Sequence, residues 1–347
     1  MPIDPIQLTK QLVDIESTTY HEAPAGEFLA HYFADLGWEV ERQAVAPPDP
    51  VKTPGGGTGP RFNVYAHLAG VTPDVVLSTH MDTVPPFLGA CREDDENLYG
   101  RGTCDAKGII AAQIAAAEIL REQGIKVALL FVVGEERDSA GAKLANEKPR
   151  GSRFLINGEP TDNRLAIASK GALRVELRAH GKAAHSAYPE LGDSAIDKLL
   201  ATLAELQSLK LPIVEGIGDS TMNIGLIHGG RAPNVIPDKA EAHLLIRLVD
   251  DGESTMAAIE RASAAHGCEC AFTLKLPFVQ MRPLPGFETM VAKFTTDIPA
   301  LTNWGEPFLL GPGSIHVAHT PDEKISKREL VECVGLYVDL AKQLVGK

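Results

Sequence analysis

Carboxylates and histidines standing at the ends of apolar runs are the residues of this 347-residue sequence whose types and spacing suit chemistry. His80-Met81-Asp82 closes the apolar run 75–79. On extended backbone, residues two apart project to the same side, so an imidazole there can bind a metal ion while a carboxylate behind it fixes its tautomer. Taken alone, such a pair serves structure as readily as chemistry. Gly100-Arg101-Gly102-Thr103-Cys104-Asp105-Ala106-Lys107-Gly108 is a glycine-rich turn entering an alanine-rich helical segment. Asp105 either caps that helix or offers its two oxygens to a pair of metal ions. Glu135 and Glu136 follow the apolar run 127–133. Neighbouring carboxylates at the mouth of a buried strand repel each other and cost desolvation unless cations or protons neutralise them. In a division of labour Glu136 ligates metal and Glu135 accepts a proton from water; a solvated loop, with Arg137 and Asp138 next, is the alternative. Glu159 ends another apolar run in Asn157-Gly158-Glu159-Pro160-Thr161, and the Gly/Pro-rich stretch 311–323 carries His316 and His319. His80, Asp105, Glu136, Glu159 and His319 supply the mixed nitrogen and oxygen donors of a dizinc site, whose ions in general lie ~3.5–4 Å apart.

The elements that must position these residues can be read from hydrophobic periodicity. Phe28, Leu29, Tyr32, Phe33 and Leu36 recur at helical spacing before Gly37. Residues 38–45 alternate like a strand, and 46–60 are crowded with Pro and Gly, which predicts a loop. Its Gly55-Gly56-Gly57 lacks the Lys and helix start of a phosphate cradle. Apolar runs at 62–68, 75–79, 127–133 and 154–156, separated by the helical segment 107–123, predict a largely buried α/β sheet. From Ala172 the order changes to strand (174–179), helix (194–209), strands (222–227 and 240–248), helix (254–265) and strand (270–276). This β-α-β-β-α-β order is that of a ferredoxin-like unit and predicts an insertion. Residues 287–347 predict a helix, the apolar run 308–310 and a last helix opened by the capping box Ser326-x-x-Glu329. The expected domains are therefore 1–171 with 281–347, and the inserted 172–280.

Composition bounds the function. A net charge of -13 argues against a nucleic-acid backbone or an anionic membrane as partner, since both need clustered Lys and Arg. No apolar run approaches the ~20 residues of a spanning helix, and no leader-like segment opens the chain, so a cytoplasmic protein is expected. Cys91, Cys104, Cys268, Cys270 and Cys333 are odd in number and scattered, unlike a disulfide framework. Cys268-x-Cys270 has no second pair to complete a metal site and reads as small residues of a strand.

Taken in order, these motifs resemble the co-catalytic zinc family of acetylornithine deacetylase, succinyl-diaminopimelate desuccinylase, aminoacylase and the bacterial glutamate carboxypeptidases. The likeness covers nearly the whole chain. It implies an α/β fold, with a zinc-peptidase-like catalytic domain and an inserted ferredoxin-like α+β lid and dimerisation domain, and hence a homodimer. It further implies two Zn2+ per subunit, for which Co2+ can substitute. His80 and Glu159 would share one ion, Glu136 and His319 the other, and Asp105 would bridge them. Glu135 would be the general base and Asp82 the carboxylate behind His80. Gly181-Lys182-Ala183-Ala184-His185-Ser186 resembles the segment whose His stabilises the oxyanion, often in the neighbouring subunit; a turn histidine is the other reading of His185. Asn234, within Gly229–Pro237, and Arg247 resemble the residues that bind the substrate carboxylate, and an Arg fork suits a carboxylate. His316 lacks an Asp-Glu pair three residues on, which favours His319; the other histidines read as structural. The chain departs from the family pattern at Leu245, where relatives carry an acid, and at Cys104 and Ala106 beside Asp105. The resemblance implies a metal-dependent amidohydrolase acting on a small N-acyl amino acid of the acetylornithine or acetyl-lysine kind. A di- or tripeptidase or a glutamate-type carboxypeptidase would use the same site, and a non-catalytic metal- or peptide-binding relative is the alternative of another class. Lid closure about Gly171 and Arg282 is expected to bring His185 in.

Overall fold

The computed structural model describes residues 2–47 and 59–346. The Gly55-Gly56-Gly57 segment and most of the loop expected around it lie outside these. The chain divides into two compact units, one of 1–167, 281–290 and 296–347, the other of 168–280 and 291–295.

The first unit is built on a mixed sheet in the order Glu39–Val45, Arg61–His67, Val127–Val132, Val75–His80, Phe154–Asn157, Glu306–Leu309, Leu165–Ser169. Its four central strands, from Val127–Val132 to Glu306–Leu309, run parallel, and antiparallel neighbours flank them. The parallel strands are apolar because both faces are covered. Val127, Leu129, Phe131 and Val133 join the core under the helices Pro5–Val13, Ala23–Asp35, Lys107–Glu122 and Lys327–Val345, while Ala128, Leu130 and Val132 join a second core with Ala142, Ala145 and Trp304. That two-sided alternation leaves the carboxyl ends of the strands as the place where polar side chains can collect. The final helix is capped as expected, the Ser326 hydroxyl accepting from the Glu329 amide at 3.4 Å. The helix expected after Phe287 does not form. Residues Thr289–Ala292 make a strand instead, and Ile298–Ala300 a 3-10 turn, as suits a segment rich in β-branched residues that ends at Pro299.

The second unit is a four-stranded antiparallel sheet in the order Thr221–Gly229, Lys239–Leu248, Gly171–His180, Cys268–Leu276. Helices Ala195–Gln207 and Glu253–Ala265 cover one face, where Leu173, Val175, Leu177 and Ala179 meet Leu199, Leu203, Leu206 and Ile259. Order and connections are those of a ferredoxin-like unit. Cys268 and Cys270 lie in its edge strand, and all five cysteines are unpaired. No helix among the described residues is long and apolar enough to cross a membrane.

Candidate metal centre and active site

Each parallel strand of the first unit delivers one piece of the site at its carboxyl end. His80 is the last residue of Val75–His80; Gly134-Glu135-Glu136 follows Val127–Val132, Glu159 follows Phe154–Asn157, and His319 comes from the loop after Glu306–Leu309. Asp105 arrives from the side, on the turn before Lys107–Glu122. It does not cap that helix: Ala106 holds the N-cap position and no side chain caps it.

Asp105 instead faces both imidazoles. His80 Nε2 lies 3.0 Å from its Oδ1, and His319 Nε2 lies 3.1 Å from its Oδ2. Glu159 Oε2 is 4.0 Å from His80 Nε2, and Glu136 Oε1 is 3.0 Å from His319 Nε2. The donor atoms of His80, Asp105 and Glu136 all lie within 4.8 Å of one another. A carboxylate with one oxygen toward each histidine, and one further acid beside each, is an arrangement able to hold two ions with the first carboxylate between them.

Electrostatics point the same way. Burial pushes the Glu135 carboxyl far above the usual range, and the charge of Glu159 adds to it; Glu159 is raised by burial as well, and Glu136 less so because His319 bonds to it. Burial alone would lower His80, but its bond to Asp105 and the charge of Glu159 hold it well up. The same bonds, from His319 and His80, keep Asp105 below the carboxylate range in spite of its burial. So many buried acids need cations, and the donor set, two imidazoles and three carboxylates, suits divalent zinc. The residues present thus fit a metal pair.

Asp82 lies behind His80 and makes further contacts. His80 Nδ1 is bonded at 2.8 Å to the backbone carbonyl of Asp82, whereas the nearer carboxylate oxygen is 3.7 Å away. The Asp82 carboxylate also accepts four hydrogen bonds: Oδ1 from the amides of Gly134 and Glu135 at 2.9 and 3.1 Å, and Oδ2 from the Glu136 amide at 3.3 Å and the Thr19 hydroxyl at 2.9 Å. It therefore shapes the turn carrying Glu135 and Glu136. Gly134, at φ +82°, is needed there, because a Cβ would come within 2.7 Å of Arg61 Nη2. Arg61 is itself fully buried against Glu22, 2.8 Å away. The Glu159 turn is fixed by the Thr79 hydroxyl, which donates to the Gly158 carbonyl at 2.8 Å, and by Gly311, which packs so close to the Glu159 backbone that no side chain fits.

Sequence reasoning passed over Asp297. It is buried, neither oxygen has a hydrogen-bond partner among the described residues, and its charge is felt by Glu135 and Glu159. Burial lifts it to about 6; the Ser139 hydroxyl eases that cost without meeting hydrogen-bond geometry. A Thr-Asp-x-Pro turn signal was its only mark in the sequence. Among the described residues, His316 makes none of the contacts that His319 makes with Asp105 and Glu136.

In the second unit, His185 lies in an exposed turn and its Nδ1 accepts from the Ala187 amide at 3.1 Å. With Nδ1 accepting, Nε2 is the ring's donor. Asn234 is exposed, and its backbone carbonyl accepts from the Ser186 amide. Arg247, on Lys239–Leu248, has no ion-pair partner among the described residues, and burial lowers its pKa.

Comparison with known proteins bears on both units. Residues 167–267 match the signature described as "Peptidase dimerisation domain". A "Peptidase M20 domain-containing protein" of Schizosaccharomyces pombe is 39% identical over 346 residues, spanning 96% of this chain and 82% of the relative. A "probable carboxypeptidase" of Aspergillus flavus is 38% identical over 370 residues, spanning 94% and 87%. Among solved structures, a tripeptidase from Staphylococcus aureus superposes with a TM-score of 0.78 over all of both chains at 21% identity.

Proposed function

This chain belongs to the M20 family of metallopeptidases, and on that premise we propose that it is a two-metal carboxypeptidase-type hydrolase, cleaving the amide bond next to a free carboxylate in a short peptide. The observation that carries the reading is Asp105 with one oxygen toward each of His80 and His319, with the part-buried Glu135 on the neighbouring strand end. His80 and Glu159 would hold one Zn2+, Glu136 and His319 the other, with Asp105 shared; Co2+ would substitute. The ions, when bound, would acidify a water molecule and polarise the scissile carbonyl.

The remaining work falls to the chain. Glu135 would take a proton from the attacking water and return it to the leaving nitrogen; burial and the charge of Glu159 raise its pKa and so favour the protonated form it passes through. Asp82 keeps Glu135 and Glu136 apart on one turn by holding their amides. His185 would donate from Nε2 to the developing oxyanion, its Nδ1 being an acceptor, and Asn234 and Arg247 would bind the substrate carboxylate. The second unit would act as lid and dimerisation domain of a homodimer, closing about Gly171 and Arg282. Five unpaired cysteines support a cytoplasmic setting.

Hydrolysis of an N-acetyl amino acid of the acetylornithine or acetyl-lysine kind is the second reading, favoured by Gly158-Glu159-Pro160-Thr161 and the Ala318-His319 loop. Both readings need the same chemistry. A panel of C-terminally free and C-terminally amidated peptides, N-acetyl and N-succinyl amino acids, run with Glu135→Ala in parallel, separates them. Turnover of free-carboxylate peptides alone, lost about 10²–10⁴-fold in the variant, is expected. Turnover confined to acetyl amino acids would move the protein to the deacetylases. A silent panel with zinc bound would replace both with a binding protein.

A further inference from the structure

We infer that Glu323, which touches none of the candidate metal-binding atoms, is the positioning residue that sets the bridging carboxylate of Asp105, and through it the affinity for the metal pair. The inference rests on the two-metal reading above. Glu323 is 1% exposed, and its Oε1 accepts from three backbone amides of the Asp105 turn: Gly102 at 2.8 Å, Cys104 at 3.3 Å and Asp105 itself at 3.3 Å. Its Oε2 takes the Arg101 guanidinium at 2.5 Å, and its backbone carbonyl accepts from the Gly100 amide at 3.0 Å. One residue thus gathers the turn from Gly100 to Asp105, its side chain holding the part from Arg101 onward.

Amides converging on one carboxylate oxygen fix the direction in which the turn leaves, and the Asp105 side chain follows that direction. Glu323 also sits four residues after His319, on the same loop, and Arg101 reaches back to the Thr320 carbonyl at 3.3 Å. The loop carrying one imidazole and the turn carrying the shared carboxylate are therefore locked by the same group. A carboxylate that only neutralised Arg101 would need neither of the longer amide bonds. Groups that hold a ligand from behind typically alter metal affinity 10–100-fold when removed.

The test compares three variants of the full chain by titrating Zn2+ into metal-depleted protein against a chromophoric chelator, with kcat, KM and urea unfolding measured alongside. Glu323→Ala removes the acceptor and is expected to bind Zn2+ 10–100-fold more weakly, with kcat falling while KM holds. Arg101→Gln breaks the ion pair but leaves the acceptor, and is expected to unfold more easily yet keep near-native Zn2+ affinity. Glu323→Asp keeps the charge but withdraws the acceptor by one methylene; it should follow Glu323→Ala in affinity, and it serves in its place if that variant does not fold. The inference is overturned if Glu323→Ala or Glu323→Asp, folded, binds both ions like the wild type, or if Arg101→Gln loses as much affinity as they do. A wild-type chain that takes up no Zn2+ would instead sink the two-metal reading on which the inference stands.

Discussion

His80 and His319 present the same Nε2 atom to opposite oxygens of Asp105, at 3.0 and 3.1 Å, yet the side chain of His80 is 1% exposed and that of His319 is 49% exposed. His80 ends a central parallel strand, its Nδ1 is fixed by the Asp82 carbonyl, and Glu159 is the buried acid beside it. His319 stands on a loop at φ +63°, the left-handed region that non-glycine residues enter at a cost, and no partner for its Nδ1 is found among the described residues. One half of the centre is part of the core, and the other is laid over it. Burial of this kind makes a ligand hard to lose and slow to exchange, whereas an exposed, strained ligand can be released without disturbing the sheet.

The largest effect should come from the residue the halves share. Asp105→Ala removes an oxygen from each half, and activity should fall ~10³-fold or more, with neither ion retained through gel filtration. Retention of one full equivalent would mean the halves are more independent than their common carboxylate implies. Next is the contrast between His80→Ala and His319→Ala in metal-free protein. The former leaves buried acids without their cationic neighbour and should lower unfolding stability by ~3–5 kcal/mol. The latter removes a half-exposed, screened contact and should cost about 1 kcal/mol or less. Equal losses in urea melts would abolish the distinction. Chelation should then remove one equivalent of metal before the other, and His319→Ala should delete the early phase only; deletion of the early phase by His80→Ala would reverse the ranking.

The buried half was the more legible of the two in the sequence. Both its residues, His80 and Glu159, end an apolar run, as only Glu136 does in the other half, and strand ends in a parallel sheet are where ligands gather, so type and place could be read together. The four central strands and the ferredoxin-like unit were legible for the same reason, since their hydrophobic period carries their burial. His319 was found by motif rather than by pattern, because a Gly/Pro-rich loop has no period to read. What the sequence concealed are contacts between residues far apart in the chain. The Asp82 carboxylate bonds to amides 52 to 54 residues away, and Glu323 to amides 218 to 221 away. A carboxylate two residues from a histidine reads as that histidine's partner, and only the fold shows the turn whose amides it also binds. The strand at Thr289–Ala292 was missed because a short amphipathic stretch fits either period.

The smallest expected effect is in the pH dependence of the metal-free protein, and it divides the halves by solvent. Bonds to Asp105 and Glu136 raise His319 from 6.5 to about 10. Between those values the folded state holds a proton that the unfolded chain has released, so the His319 contribution is full below pH 6.5 and is lost as pH rises toward 10. Asp105 has the opposite sign: its pKa is depressed, so its contribution is present above the ordinary carboxylate range and is lost on acidification. His80 is raised as well and adds to the alkaline loss. Because His319 is half exposed, salt should screen its share, while the share of the buried His80 persists. Urea midpoints from pH 6 to 10, at low and high salt, should show His319→Gln flattening the alkaline decline at low salt and making little difference at high salt. A decline in the wild type that is indifferent to salt, and unchanged by His319→Gln, would place the whole effect in the core and leave the exposed half without an electrostatic share.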